Sequence, residues 1–138
     1  MPAKDKYHDA VIRALIKDGW EITHDPYIIK TEGTTYQVDL GAEKMIAAEK
    51  DTEKIAVEVK SFLNESVVSD FHTALGQYLS YRLSLVDQEA ERHLYLAMPL
   101  VSFIRIQKLP VLQKIIAHFQ VSIFVYNPHT KEIVTWKR

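Results

Sequence analysis

The chain has no cysteine. That removes a disulfide framework, a thiolate zinc site and a cysteine nucleophile, and it permits a reducing compartment. Glycine and proline are scarce, four and five among 138 residues, and there is no low-complexity tract, so a disordered or linker-dominated chain is excluded. Long apolar runs are missing too. They are interrupted by Pro99 or by charges well short of the roughly 20 residues a membrane helix needs. The opening MPAKDKYHDA has no apolar centre of the signal-peptide kind, and the cytoplasm is the expected location. Nor is there a surplus of one charge. The formal net charge of -1 argues against holding nucleic acid by bulk positive potential, so any phosphate contact has to be local.

What is present suits one globular domain over residues 1–138, with 47% hydrophobic and 25% charged residues. In residues 4–18, His8, Val11, Ile12 and Leu15 fall on one helical face, and Gly19 follows as a C-terminal cap. The rhythm then changes to strand-like segments, YIIKT, TYQVDLGAEK and KIAVEVKSF, separated by the turn-forming EGT and EKDTE. They are expected to form an antiparallel meander. From Ser66 a long helix is expected, with Val68, Phe71, Leu75, Leu79 and Val86 on its apolar side. HLYLAM, LPVLQKIIAHF, VSIFVYN and EIVTWK then predict a covered strand, a helix with Pro110 in its first turn, and a final strand pair. The expected class is α/β (α+β), a mixed central sheet flanked by helices.

KIAVEVKSF holds the chemistry. Alternation places Ile55, Val57 and Val59 on one face and Ala56, Glu58 and Lys60 on the other. Asp39, in QVDLG, is the acid that an antiparallel neighbour would bring beside Glu58. Two converging carboxylates repel and raise each other's pKa, so such a pair calls for a cation between them. A hard divalent ion, Mg²⁺ or Mn²⁺, suits oxygen ligands from Asp39, Glu58 and the Val59 backbone carbonyl. Lys60 is then placed to hold or help deprotonate a metal-bound water, which is the chemistry of phosphodiester hydrolysis. The plainer alternative is a cross-strand ion pair worth about 0.2–1 kcal/mol.

The order of elements, with Asp39 followed by Glu58-Val59-Lys60, resembles the PD-(D/E)XK nuclease superfamily over residues 4 to about 98. Val38 stands where that family's proline would be. In GQYLSY, Gln77 matches the glutamine many members carry in the following helix. More specifically, KDKYHDAVIRALIKDGWEITHDPY, VDLGAEK, IAVEVKSF and ALGQYLSYR, in that order, resemble the fdxN-element excision controlling factor XisH family of cyanobacteria. That resemblance implies a restriction-endonuclease-like core and a role in programmed excision of a DNA element by site-specific recombination. It also implies DNA and a protein called XisI as partners; a homodimer is a further expectation, common for such folds.

It implies Asp39, Glu58, Lys60 and Gln77 as catalytic residues, with Asp9 the acid that related nucleases lend from the first helix. Cutting DNA and belonging to the family are separate claims. His8 lies on the first helix's apolar stripe and is expected to be a hydrogen-bonded core histidine, with an accessory role at the site, beside Asp9, as the alternative. The other histidines show no zinc spacing. Tyr7, Trp20, Tyr27, Tyr78 and Trp136 are expected in the core or an interface. Arg105, Lys108 and Lys114 form a basic group that could meet phosphate.

Overall fold

The computed structural model describes residues 7–31, 34–36 and 45–138. A six-stranded mixed sheet, ordered β1-β4-β5-β6-β7-β8, is its frame. The strands are β1 (Glu21–His24), β4 (Met45–Lys50), β5 (Glu53–Val59), β6 (Arg92–Pro99), β7 (Ile123–Asn127) and β8 (Glu132–Lys137). β1, β4 and β5 pair antiparallel, β5, β6 and β7 pair parallel, and β8 returns antiparallel on β7. Parallel neighbours need crossovers. α2 (Val67–Gln88) supplies the one between β5 and β6, and α3 (Leu100–Gln107) with α4 (Pro110–His118) supplies the next.

The central strands are covered on both sides. On one side Ile55, Val57 and Val59 of β5 pack with Ala10, Val11, Ala14 and Leu15 of α1 (His8–Lys17). On the other, Ala56 packs with Met45, Leu96, Phe71, Ala74 and Tyr78 beneath α2. Several expectations hold in detail. Gly19 adopts φ +96, which favours glycine, and ends α1. Ser66 caps α2 by accepting from the Ser69 N–H at 3.1 Å. Pro110 opens α4. Asp51 and Thr52 turn the β4–β5 hairpin, with Asp51 at φ 56. Trp20, Tyr27 and Tyr78 are buried.

Three features differ from the sequence reading. The expected meander is divided: Ile29–Thr31 (β2) and Thr34–Tyr36 (β3) pair with each other in a separate two-stranded sheet, and the main sheet uses EITH and MIAAEK instead. Met45 to Ala48 are buried on both faces, so MIAAEK lacks the alternation that marks a strand. The buried stripe of α2 is Val67, Phe71, Ala74, Tyr78, Tyr81 and Leu85, rotated from the expected one, and Val86 is exposed. Finally, LVSFIRIQ after Pro99 forms α3 with Ser102, Phe103 and Ile106 buried. No helix among the described residues is long and apolar enough to cross a membrane.

Candidate functional site

Glu58 lies next to the C-terminal end of β5, between Met45 of β4 and Leu96 of β6 in register. Those two neighbours belong to the core beneath α2, so alternation directs Glu58 into that core. It is fully buried. Among the described residues neither of its carboxylate oxygens has a hydrogen-bond partner. Burial alone pushes its carboxyl up to about 8. A buried acid of this kind costs stability unless something compensates it, so its presence in a core position is a chemical signal.

The ladder continues past β5. Lys60 donates its backbone N–H to Ala97 O at 3.0 Å, and its half-buried side chain follows Glu58 by one pleat. Val59 lies between them with its side chain in the core on the α1 side. The segment after Lys60 is fixed by α3. Ser102 Oγ donates to Ser61 O, and Arg105 donates to Phe62 O at 3.2 Å and to Glu65 O at 3.4 Å. Arg105 therefore braces the loop behind the site rather than joining Lys108 and Lys114 as a free basic group, which corrects the phosphate-binding expectation for it. Phe62 takes φ 54, and this bracing holds it there.

α2 roofs the Glu58 side of the sheet. Its Ala74 is fully buried in the same core, and Asp70 and Gln77 flank Ala74 at i-4 and i+3. The stripe of Asp70, Ala74, Gln77 and Tyr81 borders the core, with Ala74 and Tyr81 buried. Gln77 Oε1 and Asp70 Oδ2 are buried without partners among the described residues, while Asp70 Oδ1 accepts from Asn64 at 3.0 Å. Asp70 is the residue that sequence reasoning did not single out. The small Ala74 between two polar residues marks a helix face close to the sheet, and that is the signal that could have found it.

The remaining candidates fall elsewhere. Asp39 lies outside the described residues, and the residue paired with Glu58 on β4 is Met45. His8 is buried and hydrogen-bonded through Nε2 to Asp25 at 3.2 Å, as expected of a core histidine. Asp9 is exposed and paired with Arg13 at 3.0 Å on α1, which covers the face opposite Glu58. No group of three acidic or histidine side chains among the described residues is arranged to hold a metal ion. The orphaned oxygens of Glu58 nevertheless fit a cation, since a hard ion takes oxygen ligands and would replace the missing hydrogen bonds.

The XisH protein family model matches residues 1–134. The chain belongs to the XisH family. Two solved structures resemble this XisH-family chain closely. An XisH family protein from Nostoc punctiforme PCC 73102 is 44% identical, with a TM-score of 0.89 over 97% of this chain and 100% of its own. An fdxN element excision controlling factor protein from Anabaena variabilis is 43% identical, with a TM-score of 0.89 over 98% of this chain and 100% of its own. No curated protein matches the chain.

Proposed function

We propose that this XisH-family chain is a Mg²⁺- or Mn²⁺-dependent DNA endonuclease of the PD-(D/E)XK kind, acting in the programmed excision of a DNA element. The observation that carries the reading is Glu58, a fully buried carboxylate with both oxygens unpartnered among the described residues, one pleat from Lys60. A structural ion pair would leave Glu58 partly solvated or bonded. Burial of an unsatisfied acid supports a ligand role.

In this reading Glu58 and Asp39 hold the cation, with the Val59 carbonyl as a further oxygen donor. The bound ion would supply Lewis-acid polarisation of a phosphoryl oxygen and a lowered pKa for a coordinated water. Lys60 orients the attacking water and donates to the phosphate as charge builds on it. Gln77 donates a hydrogen bond from its side-chain amide to the phosphate or to a water at the edge of the site. The buried walls from Met45 and Leu96 keep bulk water away, which strengthens each of these interactions. DNA, an XisI-like protein and a second copy of the chain are the proposed partners. The excision role is taken from the name borne by the Anabaena variabilis relative.

Incubation of supercoiled DNA with the protein and Mg²⁺, with and without the partner, tests the reading. Nicking or linearisation is expected, falling about a hundredfold or more in Glu58→Ala and in Lys60→Ala. A second reading is a non-cutting recombination accessory that uses the same scaffold to dock XisI or DNA. The net charge of -1 favours it. Equal inertness of wild type and both variants under all these conditions would select the accessory.

A further inference from the structure

The end of the sheet away from Glu58 carries a cavity of about 700 Å³. It opens between the second half of α2 and α4, at the starts of β6 and β7 and the end of β8. Along β5 and β6 the register runs from Lys54 opposite Arg92 to Glu58 opposite Leu96. Four residues of strand separate the two ends, about 13 Å, so the cavity is distinct from the Glu58 site.

Its lining is basic. Arg82, Arg92, Lys137 and Arg138 contribute to it, and among the described residues no aspartate or glutamate does. Two of these cations are neutralised from outside. Arg92 is bound by Glu89 at 3.0 Å, with Glu49 at 3.6 Å, and Arg138 meets Glu53 at 3.0 Å. Arg82 and Lys137 have no carboxylate in salt-bridge range among the described residues. Arg82 donates to Gln120 O at 3.0 Å and lies 5.2 Å from the Tyr78 ring centre, while Lys137 sits 5.9 Å from that of Phe103.

His93 reports the same field. Burial holds its imidazole below the ordinary value, with Arg138 and then Arg82 pushing the same way and Glu53 opposing. His93 Nε2 is hydrogen-bonded to Ser122 Oγ at 2.7 Å. Beside these groups the wall is apolar, with exposed Val86 and half-buried Ile116. Two cations without a carboxylate partner among the described residues, Arg82 and Lys137, lining one concave and partly apolar pocket of this size, match a small organic phosphate. A continuous phosphodiester backbone would suit an open ridge better than a recess between two helices.

We propose that this cavity binds a small phosphorylated molecule of nucleotide size, its phosphate on Arg82 and Lys137 and its carbon framework against Val86 and Ile116. Calorimetric titration with adenosine monophosphate tests this, with adenosine and a short DNA duplex as comparisons. The monophosphate is expected to bind and adenosine not to. Lys137→Gln and Arg82→Gln are each expected to weaken binding about tenfold, the loss of one charge-assisted contact. Lys137 is exposed on the sheet's edge strand, so its replacement keeps the fold even if loss of the Arg82 contact to Gln120 does not. Lys137→Gln should also leave divalent-cation binding at Glu58 unchanged. No binding of the monophosphate at millimolar concentration would overturn the proposal. So would unchanged affinity in Lys137→Gln, or duplex binding weakened by that variant and not displaced by the monophosphate.

Discussion

At the scale of single residues, Glu58 decides most. Without a divalent ion its folded carboxyl keeps its proton up to about pH 8, against 4.5 for the ordinary group. Between those values the native state binds more protons than the unfolded chain, so this stabilising contribution is complete below the lower value. It is lost as pH rises toward the upper one, by roughly 1.4 kcal/mol per pH unit. Thermal melts in chelator should therefore show wild type losing stability relative to Glu58→Gln as pH climbs through this window, with the variant melting higher at pH 8. An identical pH profile for the two proteins would mean that the carboxylate is compensated. Glu58 and Lys60 were legible in the sequence because alternation in a strand fixes their shared face. Their opposite number was not. Met45 takes the position across from Glu58, and no composition rule distinguishes MIAAEK, buried on both faces over its first four residues, from a short helical stretch.

Elements carry the next layer. α2 was readable from its Ser66 cap and its length, but its rotation was not, since leucines and valines occur around much of its circumference and only packing on the sheet selects Ala74 and Tyr81. Where α2 gives way to β6, Arg92 is buried and bonded to Glu89 and to Ile55 O at 3.0 Å, and Tyr27 donates its hydroxyl to the same Glu89 carboxylate. The Arg92 hydrogen bonds hold the Glu89 carboxyl below its usual range, with burial opposing. This knot joins the end of α2, the start of β6 and the segment before β2. Arg92→Ala leaves the part-buried Glu89 and a strand carbonyl without their partner, and should cost roughly 1.5–3 kcal/mol in urea unfolding. A loss under about 1 kcal/mol would show the knot to be solvated. α3 was hidden because Pro99 reads as a strand stop, though it serves equally as the residue before a helix. That missed helix supplies Ser102 and Arg105, which brace the segment following Lys60.

For the whole molecule, the near-neutral charge limits how DNA would be held in the proposed role. If two or three phosphates are contacted locally, the logarithm of affinity should fall with the logarithm of salt at a slope of about -2 to -3. Fluorescence anisotropy across salt concentrations measures it, and a slope near -8 would demand a basic surface far larger than any cluster described. The mixed sheet with helices on both faces was legible in the order of elements, since helix, strand group, helix and covered strand leave few topologies. The division of the early strands into two sheets was not, because short polar segments such as EITH pair by tertiary context and not by pattern. The proposed endonuclease activity depends on Glu58 being a cation ligand. Calorimetric titration of Mn²⁺ near pH 8, about where burial places the ionisation of the Glu58 carboxyl, measures that directly. The expected result is one ion per chain, bound at least tenfold more weakly by Glu58→Gln. Equal affinity in that variant, or no binding by the wild type, would contradict it.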